Sequence, residues 1–290
     1  MKHLFSANKL SSSRRKFLGS TAAAAICGVH WSAVLANADT GSRTNGRRRK
    51  VLLVSTNVAT VGTHVSGTFV KEIAFPFKFF ADNDYDIDVV TPKGGKAAIY
   101  DAGSRSDELI QIENDARYLE KTGNTLAAVN VKAAEYAGIY YPGGHGQFWD
   151  VVDNAHIAAA AVAIHTAGGV VGSAGHGTAS LVNVRLRSGE YFVSGKRMTC
   201  FPTWAEKEWM DISDYGRLLP FDMQDVLTRR KADLVLCTKE TKDQKDLTLV
   251  IDAAHRLITG SFASAAGEVA RAMHEAIVAA SQASPRPLAP

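Results

Sequence analysis

Cysteine is scarce in this chain, with three in 290 residues. One of them, Cys27, falls in the N-terminal stretch discussed below, which leaves Cys200 and Cys237. Two cysteines in a body this long define no disulfide framework. Two buried apolar thiols describe them as well as a bridge does. Acidic residues are absent from the first 38 positions, which carry five basic ones, Lys2, Lys9, Arg14, Arg15 and Lys16. Five more basic residues crowd into Arg43 to Lys50, and from Val51 onward 23 basic residues face 28 acidic ones. The formal net charge of +4 therefore belongs to the N-terminus. The body is mildly acidic and lacks the basic footprint that a nucleic acid partner needs. Internal repeats are also lacking. With 46% hydrophobic and 21% charged residues, disorder is excluded as the dominant state, and the length suits one large domain or two small ones with a sizeable core.

The acid-free N-terminus has a recognisable build. Ser13-Arg14-Arg15-Lys16-Phe17-Leu18 reads as a twin-arginine export motif, an alanine-rich apolar stretch follows to Ala36, and Ala36-Asn37-Ala38 offers small residues where a signal peptidase cuts. A basic region, an apolar region and a small-x-small site predict a signal peptide over 1–38 and a periplasmic protein. The apolar stretch is interrupted by Cys27, His30 and Trp31 and makes a poor permanent span, so no stable membrane insertion is expected after cleavage. Ile26 in front of Cys27 spoils a lipoprotein box. Residues 39–49 read as a polar, basic linker, 50–282 as the folded body, and 283–290 as a proline-containing tail that frays.

Within the body, short continuous apolar runs alternate with helical periodicity. Strands are predicted at Val51–Val54, Ile87–Val90, Ala137–Tyr141, Gly169–Ala174, Met198–Phe201 and Leu234–Cys237, with a pair at Leu247–Ile251 and Arg256–Thr259. Helices are predicted over Phe69–Phe80, Asp107–Leu119, Ala155–Thr166, from Thr178, and over Ala263–Ala280. Near-continuous apolar strands between helices argue an α/β fold of flavodoxin-like type, a doubly wound and mostly parallel sheet with helices on both faces. The alternating aspartates Asp82, Asp84, Asp86 and Asp88 imitate a calcium loop. However, Ile87 stands where that loop needs glycine and Lys93 where it needs glutamate, so a helix-to-strand turn is the better reading.

Three segments sit where open α/β sheets place their ligands, at the carboxyl ends of strands. They are Gly67 to Pro76, Tyr140 to Asp150 (with Pro142-Gly143-Gly144-His145-Gly146) and Val170 to Thr178 (with Gly175-His176-Gly177). The last has the strand, glycine-bounded turn and helix start of a nucleophile elbow. A helix start at that point would lower a thiol's pKa and hold an oxyanion.

Read together and in order, these motifs resemble the ThiJ/PfpI superfamily, which has the class-I glutamine-amidotransferase-like fold. Within it, the branch of stress-induced chaperones and glyoxalase III (D-lactate dehydratase) proteins is the most similar. The resemblance runs from about Lys50 to about Ile277. It is carried by Glu72 with Pro76, Thr91-Pro92-Lys93-Gly94-Gly95, Tyr141-Pro142-Gly143-Gly144-His145-Gly146 with Asp150, and Gly175-His176-Gly177 with Asn183. Further markers are Thr199 and Phe201 ahead of Glu206, then Leu257-Ile258-Thr259-Gly260 with Ser264-Ala265. The resemblance implies that Glu72 hydrogen-bonds a catalytic thiol, that His176 assists proton transfer, and that Gly143, Gly144, His145, Gly175 and Gly177 shape the pocket and its backbone donors.

The thiol itself is missing. The family's cysteine stands immediately before the His-Gly pair, and that position is Gly175. Glycine has nothing that can attack, and loss of a covalent nucleophile costs orders of magnitude in rate. Ser173 lies on the strand and points elsewhere. Cys200 is the one substitute nucleophile on offer, and His64 reads as a solvated loop residue. His145, His176 and Glu72 make a two-histidine, one-carboxylate set whose spacing is not a metal motif, so neither metal nor cofactor is expected.

Two functions stay open. In one, the protein is an exported, catalytically altered family member that binds a small carbonyl or carboxylate compound or protects stressed protein clients, as a monomer or homodimer. In the alternative, it is an active glyoxalase III-type lyase (methylglyoxal to D-lactate) or a hydrolase, working through a non-standard nucleophile or a metal.

Overall fold

The computed structural model describes residues 49–103, 105–212 and 214–283. The expected signal peptide with Cys27, the linker up to residue 48, and the tail from residue 284 lie outside the described residues.

Lys50–Val54 forms strand β1, and its side chains alternate between two cores. Val51 and Leu53 join one apolar cluster, Leu52 and Val54 the other. Period-two alternation with both faces buried is what a central strand of a covered sheet requires. The remaining strands of that sheet are β2 (Asp86–Thr91), β3 (Leu126–Ala127), β4 (Gly138–Tyr141), β5 (Val170–Ala174), β6 (Leu249–Asp252) and β7 (Leu257–Gly260). Their spatial order is β6-β7-β5-β4-β1-β2-β3. Every neighbouring pair is parallel except β6 with β7, which is an antiparallel hairpin at one edge. The chain runs outward from β1 to β2 and β3, then returns to place β4 on the other side of β1. The sheet is the predicted flavodoxin-like α/β sheet, and this reversal sets its switch point between β1 and β4.

Helix α1 (Val70–Asp82) buries Val70, Ile73, Ala74, Phe77 and Phe80 on one stripe. Each large side chain removed from water in this way contributes about 1.5–3 kcal/mol. The stripe packs beside α7 (Ala266–Ala283), whose Val269, Ala270 and Met273 share its core. The other face of the sheet is covered by α4 (Ala155–Thr166), capped by Asn154, whose side chain accepts from Ile157 N at 3.0 Å.

Three expectations need correction. The helix over 107–119 is two helices, α2 (Asp107–Glu113) and α3 (Ala116–Gly123), because the Asp115 carboxylate caps a new helix by accepting from Arg117 N at 2.8 Å. The helix expected from Thr178 begins earlier, as a 3₁₀ turn over Gly175–Leu181. The strands expected at 198–201 and 234–237 shrink to Arg197–Met198 and Asp233–Leu234, paired with each other outside the main sheet. There the chain is held by side chains instead of a ladder. Thr199 N donates to Thr259 Oγ1 at 2.8 Å, and the Thr199 and Ser261 hydroxyls pair at 2.7 Å. The helices that were not foreseen include α5 (Thr203–Ile212) and α6 (Met223–Arg229), besides the single turns Gln147–Asp150 and Lys245–Thr248. The aspartate cluster is the expected turn, with Asp84 in a left-handed conformation (φ 60°) between α1 and β2. Among the described residues no helix is long and apolar enough to cross a membrane.

Candidate functional site

The turns after β4 and β5 lie side by side, and the first turn of α1 faces both. Hydrogen bonds between backbones fasten this arrangement. Phe69 N, at the start of α1, donates to Gly143 O at 3.0 Å, and Gly146 N donates to Gly67 O at 3.1 Å. Gly144 has φ 110°, and a Cβ there would run into the backbone of Gly67 and Phe69. Only glycine allows so close an approach in that conformation.

Glu72 is held by an unusual helical turn. Pro76, four residues on, has no N–H to give to the Glu72 carbonyl. The Tyr140 hydroxyl, from β4, donates to that carbonyl instead at 2.9 Å. The proline and tyrosine together fix the turn that presents the Glu72 side chain. That side chain is 3% exposed, and burial pushes its carboxyl well above the ordinary carboxylate range. A carboxylate near a helix N-terminus is usually favoured. Here desolvation outweighs the dipole, so the group stands as a neutral acid with a proton to donate. Its Oε1 has no hydrogen-bond partner among the described residues.

Gly175 follows directly on β5 with φ 51°, in left-handed backbone, and a Cβ built on it would meet Glu72 Oε1. Ser173, two residues earlier on β5, has its hydroxyl tied to Thr178 Oγ1 at 2.8 Å and is fully buried. His176 stacks on Phe201 (centroids 4.3 Å apart, planes 29°) and meets His145 edge-on at 4.5 Å. Its Nε2 shares a 2.6 Å hydrogen bond with Glu206 Oε2. His145 is 4% exposed, and burial with the neighbouring His176 lowers its pKa to about 2, so its imidazole is neutral.

Glu72, Gly144, His145, Gly175 and His176 line one cavity of about 250 Å³, closed by Phe69, Tyr100, Phe201 and Trp209. The structure therefore brings together most of the residues singled out by sequence. Gly143 lies just behind, where a Cβ would strike the Glu72 carboxyl, and Gly177 lies in the 3₁₀ turn against the Tyr141 carbonyl. Cys200 does not belong to the site. It is fully buried in the core with Met198, it does not line the cavity, and burial pushes its thiol far above the ordinary range. A thiol without solvent or a cationic neighbour forms no useful thiolate. Cys200 and Cys237 are both free and buried. His64 sits in a small hairpin, Thr60–Val61 with His64–Val65, away from the cavity lining. The two-histidine, one-carboxylate set weighed from the motifs is also recast, since the carboxylate within ligand range of both histidines is Glu206 and not Glu72.

Two site residues were missed. Glu206 lies in the first turn of α5, where an acidic residue ordinarily reads as complementing the helix dipole. Trp209, one turn on, lines the cavity, and its buried Nε1 has no acceptor among the described residues. The available signal was Glu206's place among the family markers, without a role attached.

No protein-family model matches the chain, and no curated protein matches it either. Solved structures do. The chain is similar to the Rapid Encystment Protein of 24 kDa from Francisella tularensis, with TM-score 0.69 and 25% identity over 79% of this chain and 99% of that one. It is similar in fold to a glyoxalase III from Candida albicans, with TM-score 0.67 and 23% identity over 79% and 97%. It is likewise similar in fold to a ThiJ/PfpI domain protein from Brachyspira murdochii, with TM-score 0.53 and 14% identity over 81% and 99%. With this sheet order, and with its site at the ends of β4 and β5, the chain has the fold seen in these glyoxalase III and ThiJ/PfpI domain structures.

Proposed function

We propose that this protein binds a small carbonyl or carboxylate compound in the Glu72–His176 cavity, and that it has lost covalent thiol chemistry because Gly175 occupies the position of the family's cysteine. The observation that carries the reading is the pairing of Glu72 with Gly175. A neutral, buried carboxylic acid directs an unpartnered oxygen toward the space a side chain at 175 would fill. A buried donor without a partner costs about 1–3 kcal/mol, and a ligand oxygen accepting from it removes that cost. Trp209 Nε1 offers a second donor on the same cavity. A cavity of about 250 Å³ holds a compound of a few heavy atoms, such as pyruvate, glyoxylate or hydrated methylglyoxal.

Calorimetric titration of the purified chain with pyruvate, glyoxylate and methylglyoxal tests the reading. Saturable binding is expected, weakened by Glu72→Ala, with methylglyoxal consumed at less than about one hundredth of the rate of a thiol-bearing glyoxalase III. Consumption at the full rate of such an enzyme overturns it. A second reading, slow turnover without a covalent adduct, is favoured by one observation. The His176–Glu206 pair is intact at 2.6 Å and stands ready to move a proton at a bound carbonyl compound.

The location is part of the proposal. Arg14 and Arg15 direct export to the periplasm. Replacing both with lysine is expected to hold the precursor in the cytoplasm, and normal export of that double variant overturns the assignment.

A further inference from the structure

Three separate segments of the chain meet at one point inside the site. His145 comes from the turn after β4, His176 from the turn after β5, and Glu206 from the first turn of α5. The three are far apart in sequence. Nevertheless one ligand atom from each lies within 4.8 Å of the other two. We propose that His145, His176 and Glu206 bind a divalent transition-metal ion of the zinc class, with a water in the fourth position on the cavity side.

The ligand chemistry fits. Two imidazoles and one carboxylate are the donor set of open, three-ligand zinc sites, in which a water completes a tetrahedron. The geometry is within reach of that tetrahedron. Bonds of about 2.0–2.1 Å separate neighbouring ligand atoms by about 3.4 Å. The His176–Glu206 pair, now at 2.6 Å, opens by less than an ångström, and the other separations contract by at most a little more than one. A second observation points the same way. Glu206 is 8% exposed, and its Oε1 is buried without a hydrogen-bond partner among the described residues. A bound cation gives that oxygen the partner it lacks, which otherwise costs about 1–3 kcal/mol.

The surroundings suit an open site. His176 is clamped flat against Phe201, and Phe148 stands at 5.8 Å on its edge, so one imidazole orientation is set before any ion arrives. His145 and His176 line the cavity of about 250 Å³ together with Gly175. Residue 175 adds no side chain to the cavity, and the space beside it holds only the end of the Glu72 side chain. Glu72 stands across the same space but outside ligand range, so the protein supplies three ligands and not four. The inference does not depend on the carbonyl-ligand reading. The chain can hold an ion and bind no carbonyl compound, and the reverse.

The test uses Zn²⁺ alone, titrated into the full chain after treatment with chelator, with stoichiometry read by calorimetry and by equilibrium dialysis. One ion per chain is expected, with a Kd of about 1 µM or tighter. Glu206→Gln and His145→Asn are each expected to weaken binding at least tenfold, whereas His156→Ala, on the exposed end of α4, leaves it unchanged. Co²⁺ in place of Zn²⁺ is expected to give the intense visible absorption of a four-coordinate site. That spectrum, with shifted imidazole resonances of His145 and His176 in the unaltered chain, keeps the proposal testable even where a variant does not fold. Failure to bind Zn²⁺ at 100-fold above about 1 µM overturns the proposal. So does binding that survives both ligand substitutions, since the ion then sits elsewhere.

Discussion

The two glycine turns that face each other across the site are built under different constraints. In the turn after β4, the space a Gly144 side chain would need is filled by the backbone of Gly67 and Phe69. Backbone that already carries the Phe69–Gly143 and Gly146–Gly67 hydrogen bonds cannot move aside. In the turn after β5, the space at Gly175 is filled by the end of one flexible side chain, Glu72. The first glycine is demanded by the architecture. The second is demanded by its left-handed backbone (φ 51°) and by the present position of a carboxyl group, which is a side chain that can move.

The comparison breaks most sharply at Gly144. Gly144→Ala combines left-handed backbone with a collision against main chain, and is expected to cost upwards of about 3 kcal/mol. Urea unfolding, or loss of soluble protein, reads the effect. A cost under about 1 kcal/mol removes the architectural half of the contrast.

Gly175→Ala and Gly175→Cys are expected to fold, at a cost of about 1–3 kcal/mol for the left-handed conformation. At this size that lowers the melting temperature by roughly 2–12 °C. Part of the loss is steric and belongs to Glu72, so Glu72→Ala combined with Gly175→Ala is expected to recover at least about 0.5 kcal/mol relative to additivity. Strict additivity shows that backbone strain alone keeps glycine there. Tyr140→Phe tests the support of the same carboxyl. It leaves the Glu72 carbonyl without a donor, at about 1–3 kcal/mol.

The pH dependence sharpens the contrast between the neutral acid and the neutral histidine. Above about 4.5, the unfolded chain loses the Glu72 proton while the fold keeps it, so stability falls as pH rises beyond that point. His145 works in the opposite direction. Below 6.5 the unfolded chain gains a proton that the fold, at about 2, refuses. Stability is therefore lost as pH falls, by about 2 kcal/mol at pH 5. With chelator present, Glu72→Gln is expected to flatten the alkaline limb of the stability profile and His145→Asn the acid limb. Unchanged limbs would show that neither group is held neutral.

The smallest effect concerns Cys200. The native protein is expected to leave this thiol unlabelled by iodoacetamide until it is denatured, and Cys200→Ser is expected to leave ligand binding in the cavity unchanged. Rapid labelling of the folded chain contradicts the burial of Cys200.

The strands of the central sheet were legible because each is a local pattern. Val51 to Val54 and Val170 to Val171 are continuous apolar runs that only a doubly covered strand accommodates. The segments that carry Glu72, His176 and the glycines could be picked out because they lie at strand ends and helix starts, positions that the order of elements already defines, and the family resemblance pointed to the residues within them. The break at Asp115 was harder to see, because a capping aspartate inside an apolar periodic run is a competition between two local rules. Helix α5 escaped notice because its role comes from a partner, not from its own periodicity.

What the sequence by itself determined is the alternation of elements, the switch point at which a site must form, and the absence of a thiol at residue 175. These follow from side-chain period, glycine placement and residue identity, each readable within a few neighbouring positions. The tertiary structure decided three other things: that Glu206 and not Glu72 meets His176, that Cys200 is sealed in the core, and that Tyr140 replaces the donor Pro76 lacks. Each is a contact between residues 30 or more apart, or a burial state set by the whole fold. No local pattern carries the direction in which a side chain finally points.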